Sequence, residues 1–295
     1  MAPQTNIECA QPPALGLWRM IHSGHPLIMA ILNMTPDSFS DGGLFYGSGK
    51  VNVAKVIDKV AQMLADGADI LDIGGESTRP DATPVSAEHE LERVIPAIEA
   101  LRQRFDAPLS IDTSDPRVMT AAVHAGASLI NDVRSLTREG ALAAVAPLVR
   151  DQGVAVCLMH MRGEPGTMSR YETYHDVVDE VLSALAERVA VVVAAGIPRS
   201  SLWVDPGFGF AKNTAQNLQL LKNIGLLGTL NLPLLVGVSR KRMIGETLNR
   251  AVSERAIGSV VAAVMAVERG ARIVRVHDVA ATRDGLKLLM AVQSA

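Results

Sequence analysis

Polar and charged side chains follow eight short apolar runs along the chain, where they could act together on a ligand. In chain order they are Asn33, Asp72 with Glu76, Asp112, Asn131 with Asp132, His160, Asp205, Ser239 with Lys241, and Arg275 with His277. A carboxylate matches two parallel N–H donors, so Asp112, Asn131 and Asp205 suit a flat heterocycle with an amidine-like edge. The cations that suit an anionic leaving group are Arg79, Lys241, Arg275 and His277. Singly, each residue could be a helix cap or a satisfied polar group, but eight in succession favour one shared site.

A repeated unit indicates the elements that position these side chains. Each unit has a helix-period segment, a glycine where the helix would end, a short apolar run and a polar residue. It predicts strands at 28–33, 69–73, 109–112, 128–131, 154–159, 201–205, 233–238 and 272–276. Between them, apolar residues such as Val53, Val56 and Val60 recur at helical spacing. The pattern predicts an α/β fold, a single-domain (β/α)8 TIM barrel with its site at the carboxyl ends of the strands. A doubly wound open sheet is the structural alternative.

Composition narrows the class of protein. The chain has 295 residues, 48% of them hydrophobic, and a formal net charge of −3. A large hydrophobic core is therefore expected. The small negative net charge gives no overall positive potential that would attract nucleic acid or an anionic membrane. The apolar run at 189–197 is too short for a membrane span. We expect residues 1–24 to be an N-terminal tail or short cap, and 25–295 to be the barrel. Two cysteines, Cys9 and Cys157, indicate no disulfide framework and favour a cytoplasmic location.

Eight motifs resemble, in order, those of the dihydropteroate synthase family. They are ILNMTPDSFSDGG (31–43), DIGGESTRP (72–80), SIDTSDP (110–116), LINDVRS (129–135), CLMHMRGEPGTM (157–168), DPGFGF (205–210), VSRKRMIG (238–245) and RVHDV (275–279). One motif would be weak evidence, but eight in order are specific. The resemblance implies a (β/α)8 fold that joins p-aminobenzoate to hydroxymethyl-dihydropterin pyrophosphate with Mg²⁺. It also implies a sulfonamide target and a homodimer.

The resemblance assigns roles to individual residues. Those implied to bind the pterin are Asp112, Asn131, Met159, Asp205, Phe210, Lys241 and Arg275. Those implied to hold pyrophosphate are Thr78, Arg79 and His277, and those implied to hold p-aminobenzoate are Phe39, Pro80 and Ser239. Asn33 is implied to offer a neutral side-chain oxygen to Mg²⁺, an ion that keeps its waters and tolerates few protein ligands. The residues implied to act in catalysis are Asn33, Arg79, Lys241, Arg275 and His277.

The loops that follow the first and second predicted strands are expected to close over a highly charged site. Phe39 in the first loop would form an apolar lid beside Pro80 in the second. Without the resemblance, the segment DSFSDGG would be interpreted as a polar turn and the segment GGESTRP as an ordinary loop that leads into a helix. The implied mechanism is dissociative: the carbon–oxygen bond breaks as cations stabilise the leaving pyrophosphate. The aniline nitrogen then adds without a strong general base. Since these loops would complete the pocket, p-aminobenzoate is expected to bind after the pterin and pyrophosphate.

Two other functions are considered. A corrinoid-linked, pterin-dependent methyltransferase would use a similar slot but has no pyrophosphate to hold, so STRP and RVH count against it. A catalytically silent pterin-binding paralogue would be expected to lack Phe39, Arg79 or Lys241, and all three are present. Arg242 stands where some relatives carry serine, which leaves the p-aminobenzoate carboxylate contact open. A small-residue face, composed of Gly258, Ser259, Ala262, Ala263 and Ala266, would permit close helix packing.

Overall fold

Eight parallel strands form a barrel in the computed structural model, which describes residues 17, 19–21, 23–35, 46–47, 50–77 and 85–295. The strands are β1 (Leu27–Asn33), β2 (Ile70–Gly74), β3 (Leu109–Asp112), β4 (Leu129–Asp132), β5 (Ala155–Met159), β6 (Leu202–Asp205), β7 (Leu235–Val236) and β8 (Ile273–Val276). Hydrogen bonds join them in the order β6-β5-β4-β3-β2-β1-β8-β7. A parallel bridge between Val204 and Leu234 joins the two ends of this sheet. The barrel prediction is confirmed, and the strand limits agree with the predicted ones to within two residues.

The helices pack around the barrel and return the chain from each strand to the start of the next. They are α1 (Val53–Ala65), α2 (Ala87–Arg102), α3 (Pro116–His124), α4 (Ala141–Gln152), α5 (Val177–Ala194), α6 (Thr214–Lys222), α7 (Arg242–Leu248), α8 (Ala256–Glu268) and α9 (Val279–Gln293). Side chains of Asn52, Ser86 and Asp176 accept hydrogen bonds from first-turn N–H groups and so fix where their helices begin. Within the described part of the chain, no helix combines the length and apolar character that crossing a membrane requires.

Inward-facing residues change from apolar to polar along the strands. At the amino-terminal end of the barrel a buried cluster includes Leu27, Met29, Ile70, Leu129, Cys157, Trp203 and Ile273. Leu17 and Ile21, which precede β1, belong to the same cluster. Because side chains alternate between the two faces of a strand, the inward residues two positions after Ile70, Leu129, Trp203 and Ile273 are the polar Asp72, Asn131, Asp205 and Arg275. The apolar floor thus leaves the carboxyl ends of the strands for the polar groups.

The small-residue face of α8 packs inside the chain. Ser259, Ala262, Ala263 and Ala266 are all buried within this single chain. The opposite face exposes Ile257, which is 80% accessible, and Val261. The close helix packing that these small residues were expected to permit therefore occurs within the chain, and Gly258 meets Ile244 and Leu248 of α7.

Candidate active site

Arg275 lies at the centre of a network of buried polar groups inside the barrel. Its Nε donates to Asp72 Oδ2 at 2.5 Å, and its Nη2 donates to Asp112 Oδ2 at 2.7 Å. Asn131 Nδ2 donates to the same Asp72 oxygen at 3.2 Å. Asp72 Oδ1 is buried and has no hydrogen-bond partner among the described residues. Four strands therefore supply one network, and two of its members, Asp72 and Arg275, lie one or two residues before the strand ends where they were expected.

The charges in this network are strongly perturbed by burial. Loss of water raises the pKa of Asp112 to about 7, against the opposing effect of the Arg275 guanidinium and with further raising by the neighbouring Asp72. Burial alone would lower the pKa of Arg275, but Asp72 and Asp112 more than offset it and hold that pKa above its ordinary value. The guanidinium is therefore permanently charged, while Asp112 can exchange a proton near neutral pH.

A second carboxylate, Asp205, closes β6 and lies beside a lysine. Its Oδ1 accepts the Gly207 N–H at 2.7 Å. Burial raises the pKa of Asp205, and Lys241 is the largest influence that lowers it. Lys241 donates from Nζ to Phe208 O and lies 4.5 Å from the centroid of the Phe210 ring. Burial lowers the Lys241 pKa to about 8, with Asp205 opposing that fall. Asp205, Phe210 and Lys241 thus form one wall of the site, as their order in the chain had suggested.

Ser239 and His277 meet at the outer rim. The His277 N–H donates to Ser239 Oγ at 3.2 Å, and the same Oγ lies 2.9 Å from His277 Nδ1. The hydroxyl can therefore donate its own hydrogen to Nδ1, which leaves Nε2 to carry the imidazole proton. Behind them a bidentate ion pair joins Arg240 to Asp278, at 3.0 Å from Nε and 2.6 Å from Nη2. The ends of β7 and β8 are thereby fixed to each other.

Asn33 was the residue expected to bind a metal ion. It is the last residue of β1, is partly exposed, and its side chain makes no hydrogen bond to another described residue. Among the described residues, no three His, Cys, Asp or Glu side chains converge as metal ligands. One free amide oxygen without a carboxylate cage fits Mg²⁺, which keeps most of its waters and shares phosphate oxygens with a substrate. The chemistry of the donor set is therefore compatible with the expected ion.

Four of the expected site residues, Phe39, Thr78, Arg79 and Pro80, lie outside the described residues. Their assigned roles stay predictions. Met159 is buried and closes β5, next to the site wall. The residue of uncertain role, Arg242, donates from Nη2 to Glu172 Oε1 at 2.9 Å and to Lys212 O at 3.3 Å.

Two residues of the polar series have structural partners. Asp132 is fully buried and accepts hydrogen bonds from Ser114 Oγ and from the backbone N–H groups of Arg134 and Leu136. It shapes a turn in which Leu136 has a left-handed φ of 58°. Nδ1 of His160 lies 3.0 Å from Nζ of Lys212. Sequence reasoning had not singled out Lys212, although a lysine directly after the apolar, glycine-rich GFGFA segment is an unusual neighbour and could have drawn attention.

Comparisons with known proteins agree with this geometry. The sequence pattern of the family described as pterin binding enzyme matches residues 29–277. The dihydropteroate synthase of Escherichia coli K12 is 48% identical over 271 residues, which cover 92% of this chain and 93% of the relative. The crystal structure of the Yersinia pestis dihydropteroate synthase with a sulfonamide drug complex superposes with a TM-score of 0.86 at 48% identity, covering 92% of this chain and 95% of the other. The Xanthomonas albilineans dihydropteroate synthase with 4-aminobenzoic acid gives 0.83 at 50% identity, covering 92% and 94%. The chain therefore belongs to the dihydropteroate synthase family of pterin-binding enzymes.

Proposed function

We propose that this chain joins p-aminobenzoate to hydroxymethyl-dihydropterin pyrophosphate and releases dihydropteroate and pyrophosphate. The observation that carries the proposal is the convergence of Asp112, Asn131 and Asp205 inside the barrel, next to Lys241 and Arg275. A buried set of two carboxylates and one amide matches the donors and acceptors along the edge of a pterin. The family relationship identifies the reaction that follows binding, since relatives at 48% identity are synthases.

The pterin is recognised by the buried polar wall. Asp205 accepts N–H donors from the amidine-like edge, and Lys241 together with the Gly207 N–H favours its charged form. Asp112 now holds the Arg275 guanidinium at 2.7 Å, so a ligand that uses this oxygen must replace Arg275 there. Asp72 retains the Arg275 Nε–H during that exchange, which keeps the cation close to the ring.

The chemical step separates charge, and the cations at the barrel rim stabilise it. The carbon–oxygen bond breaks, pyrophosphate leaves with the electron pair, and the pterin spreads the positive charge over its ring. Arg275 and His277, at the end of β8, are the described residues expected to stabilise the leaving group. Arg79, which lies outside the described residues, is expected to act with them. The aniline nitrogen then bonds to the methylene carbon and loses one proton, which needs no strong base. When bound at Asn33, Mg²⁺ supplies neutralisation of the leaving group's charge.

The p-aminobenzoate pocket draws on the neighbouring strand end. Ser239 and Lys241 follow β7. Ser239 presents its hydroxyl beside His277, and Lys241 presents its ammonium beside Phe208 and Phe210. The Xanthomonas albilineans relative has been solved with 4-aminobenzoic acid, and the same carboxylate suits these donors. Phe39 and Pro80 would complete the pocket from the first two loops.

The proposal is tested by pyrophosphate release from the purified protein. We expect release only when both substrates and Mg²⁺ are present, with dihydropteroate formed in equal amount by mass spectrometry. Omitting p-aminobenzoate is the matched control for simple hydrolysis. Pterin binding without any turnover would instead identify a silent paralogue, and release without p-aminobenzoate would contradict the assigned reaction.

We further propose that two copies associate through the exposed faces of α8 and α9. Ile257 and Val261 on α8, and Leu288 and Val292 on α9, each expose about half of their side chain or more. The two helices pack on each other where Gly285 meets Val260, so these residues share one apolar surface. Sedimentation should show a dimer that Ile257→Glu dissociates, and a monomeric parent would overturn the proposal. A cytoplasmic location stays a prediction from sequence.

A further inference from the structure

We propose that Lys212, which no step of the reaction uses, is a positioning residue for the pterin site. It fixes the loop at 206–211, which carries the backbone partners of Asp205 and Lys241. The inference rests on the proposed function, because it assumes that Asp205 reads the pterin edge.

The surroundings of Lys212 are unusual for a lysine. The residue is 1% exposed. Its Nζ lies 2.9 Å from Gly207 O, 3.0 Å from Phe210 O and 3.0 Å from His160 Nδ1. No carboxylate oxygen of the described residues lies within ion-pair distance of it. Three acceptors therefore match the three N–H groups of one ammonium, and two of these acceptors belong to the loop at 206–211.

The loop at 206–211 has little freedom to find another shape. Gly207 has a φ of +70°, and a Cβ placed on it would come 1.9 Å from His160 O. Its N–H is the donor to Asp205 Oδ1, and its carbonyl is an acceptor of Lys212. The carbonyl of the next residue, Phe208, accepts from Lys241. Lys212 thus acts on Asp205 through Gly207, and Lys212 and Lys241 together bind three carbonyls of one short loop.

A methionine would fill the same space without the cost of burying a charge. It would leave the Gly207 and Phe210 carbonyls and the His160 ring nitrogen without their donor. It would also remove the positive charge that protonated Lys212 places near Asp205. Burial lowers the pKa of Lys212 well below its ordinary value, and Asp205 opposes that fall. The charged and titratable groups that act on that carboxylate are Lys241, Lys212 and Arg275, with the thiol of Cys157 on β5 nearby. Burial raises the pKa of Asp205, and each of the three cations lowers it.

The test compares the kinetics of Lys212→Met with those of Lys222→Met, a matched control at the exposed end of α6. For Lys212→Met we expect the KM for the pterin substrate to rise by about tenfold or more, which corresponds to losing one buried hydrogen bond. We expect the KM for p-aminobenzoate to change by less than the KM for the pterin, because Ser239 lies on a different loop and Lys212 reaches Lys241 only through the Phe208 carbonyl. The control should match the parent in both constants. A variant that was merely less stable would lose active enzyme without separating the two constants.

The pH dependence gives an independent readout. Removing Lys212 should raise the pKa of Asp205 further, so the acid limb of the pterin kcat/KM profile should move to higher pH. If Lys212→Met does not fold by circular dichroism, Lys212→Gln keeps amide donors without the charge and serves for the same measurements. Pterin constants and a pH profile equal to those of the parent, in a folded variant, would overturn the inference. An inactive parent enzyme would instead contradict the proposed function.

Discussion

Replacing Arg275 with methionine should destabilise the fold more than an ordinary loss of a salt bridge. Asp72 is fully buried, the Asp112 side chain is 11% exposed, and both direct an oxygen at the guanidinium. Removing the cation leaves two buried carboxylates facing each other with no opposite charge at the centre of the network. Breaking a buried pair in this way costs about 3–5 kcal/mol. For a chain of this length, that corresponds to a fall in Tm of roughly 5–8 °C.

The loss should depend on pH in a definite direction. The pKa of Asp112 is about 7 in the folded protein, against an ordinary value of 3.8. Between the unfolded pKa of 3.8 and the folded pKa of about 7, the folded state binds a proton that the unfolded state has released. The resulting contribution to stability is fully present below pH 3.8 and is lost as the pH rises through 7. Without Arg275 that pKa rises further, so the variant should gain the proton already above pH 7. The deficit in unfolding free energy should therefore shrink as the pH falls from 8 to about 7, and should stay nearly constant from there to pH 5.

Urea unfolding of the parent and of Arg275→Met across this pH range measures the effect directly. Arg117→Met is a suitable control, because Arg117 and Glu88 form an exposed pair at 2.6 Å whose loss should leave the free energy of unfolding almost unchanged. Equal unfolding free energies of the parent and Arg275→Met at pH 8 would refute the reasoning. A deficit that did not change with pH would show that the two carboxylates are not the cause.

Three other outcomes follow from the same site. A sulfonamide should compete with p-aminobenzoate and raise its apparent KM; no inhibition near that KM would count against the pocket. Calorimetric titration of p-aminobenzoate into the free protein should give no heat until pterin, pyrophosphate and Mg²⁺ are present, because among the described residues only Ser239 and Lys241 are placed to bind it. Equal affinity in both titrations would show a preformed pocket. Gly207→Ala should abolish pterin binding, since its Cβ would lie 1.9 Å from His160 O; unchanged binding would mean that the loop shifts without consequence.

The strand ends were predictable because a polar residue directly ends each apolar run. Asn33, Asp112 and Asp205 are the last residues of β1, β3 and β6. The exception was β7, predicted at 233–238, in which only Leu235–Val236 pairs with β8. Each unit needs only its own local pattern to be recognised, and parallel strands buried on both faces give that pattern strongly.

The pairing of side chains was not predictable from the same pattern. Asn131 and Asp132 are adjacent and both polar, yet Asn131 joins the site while Asp132 holds a turn. Because neighbouring side chains point to opposite faces of a strand, only one of the two can point into the barrel, and the register of the strand decides which. Arg275 meets Asp72 across 203 positions in sequence, and closure of the barrel alone brings them together. The role of Lys212 was not predicted for the same reason, since its partner His160 lies 52 residues earlier in the sequence.

Calorimetric titration of the pterin substrate into Asp205→Ala, compared with the parent protein, tests the central claim most directly. Asp205 is assigned to the recognition edge of the slot, where it accepts the ligand's N–H donors and no apolar residue can replace it. The parent should bind with measurable heat, and Asp205→Ala should show no binding while its circular dichroism spectrum is unchanged. Parent-like affinity in the folded Asp205→Ala variant would contradict the assignment of the slot.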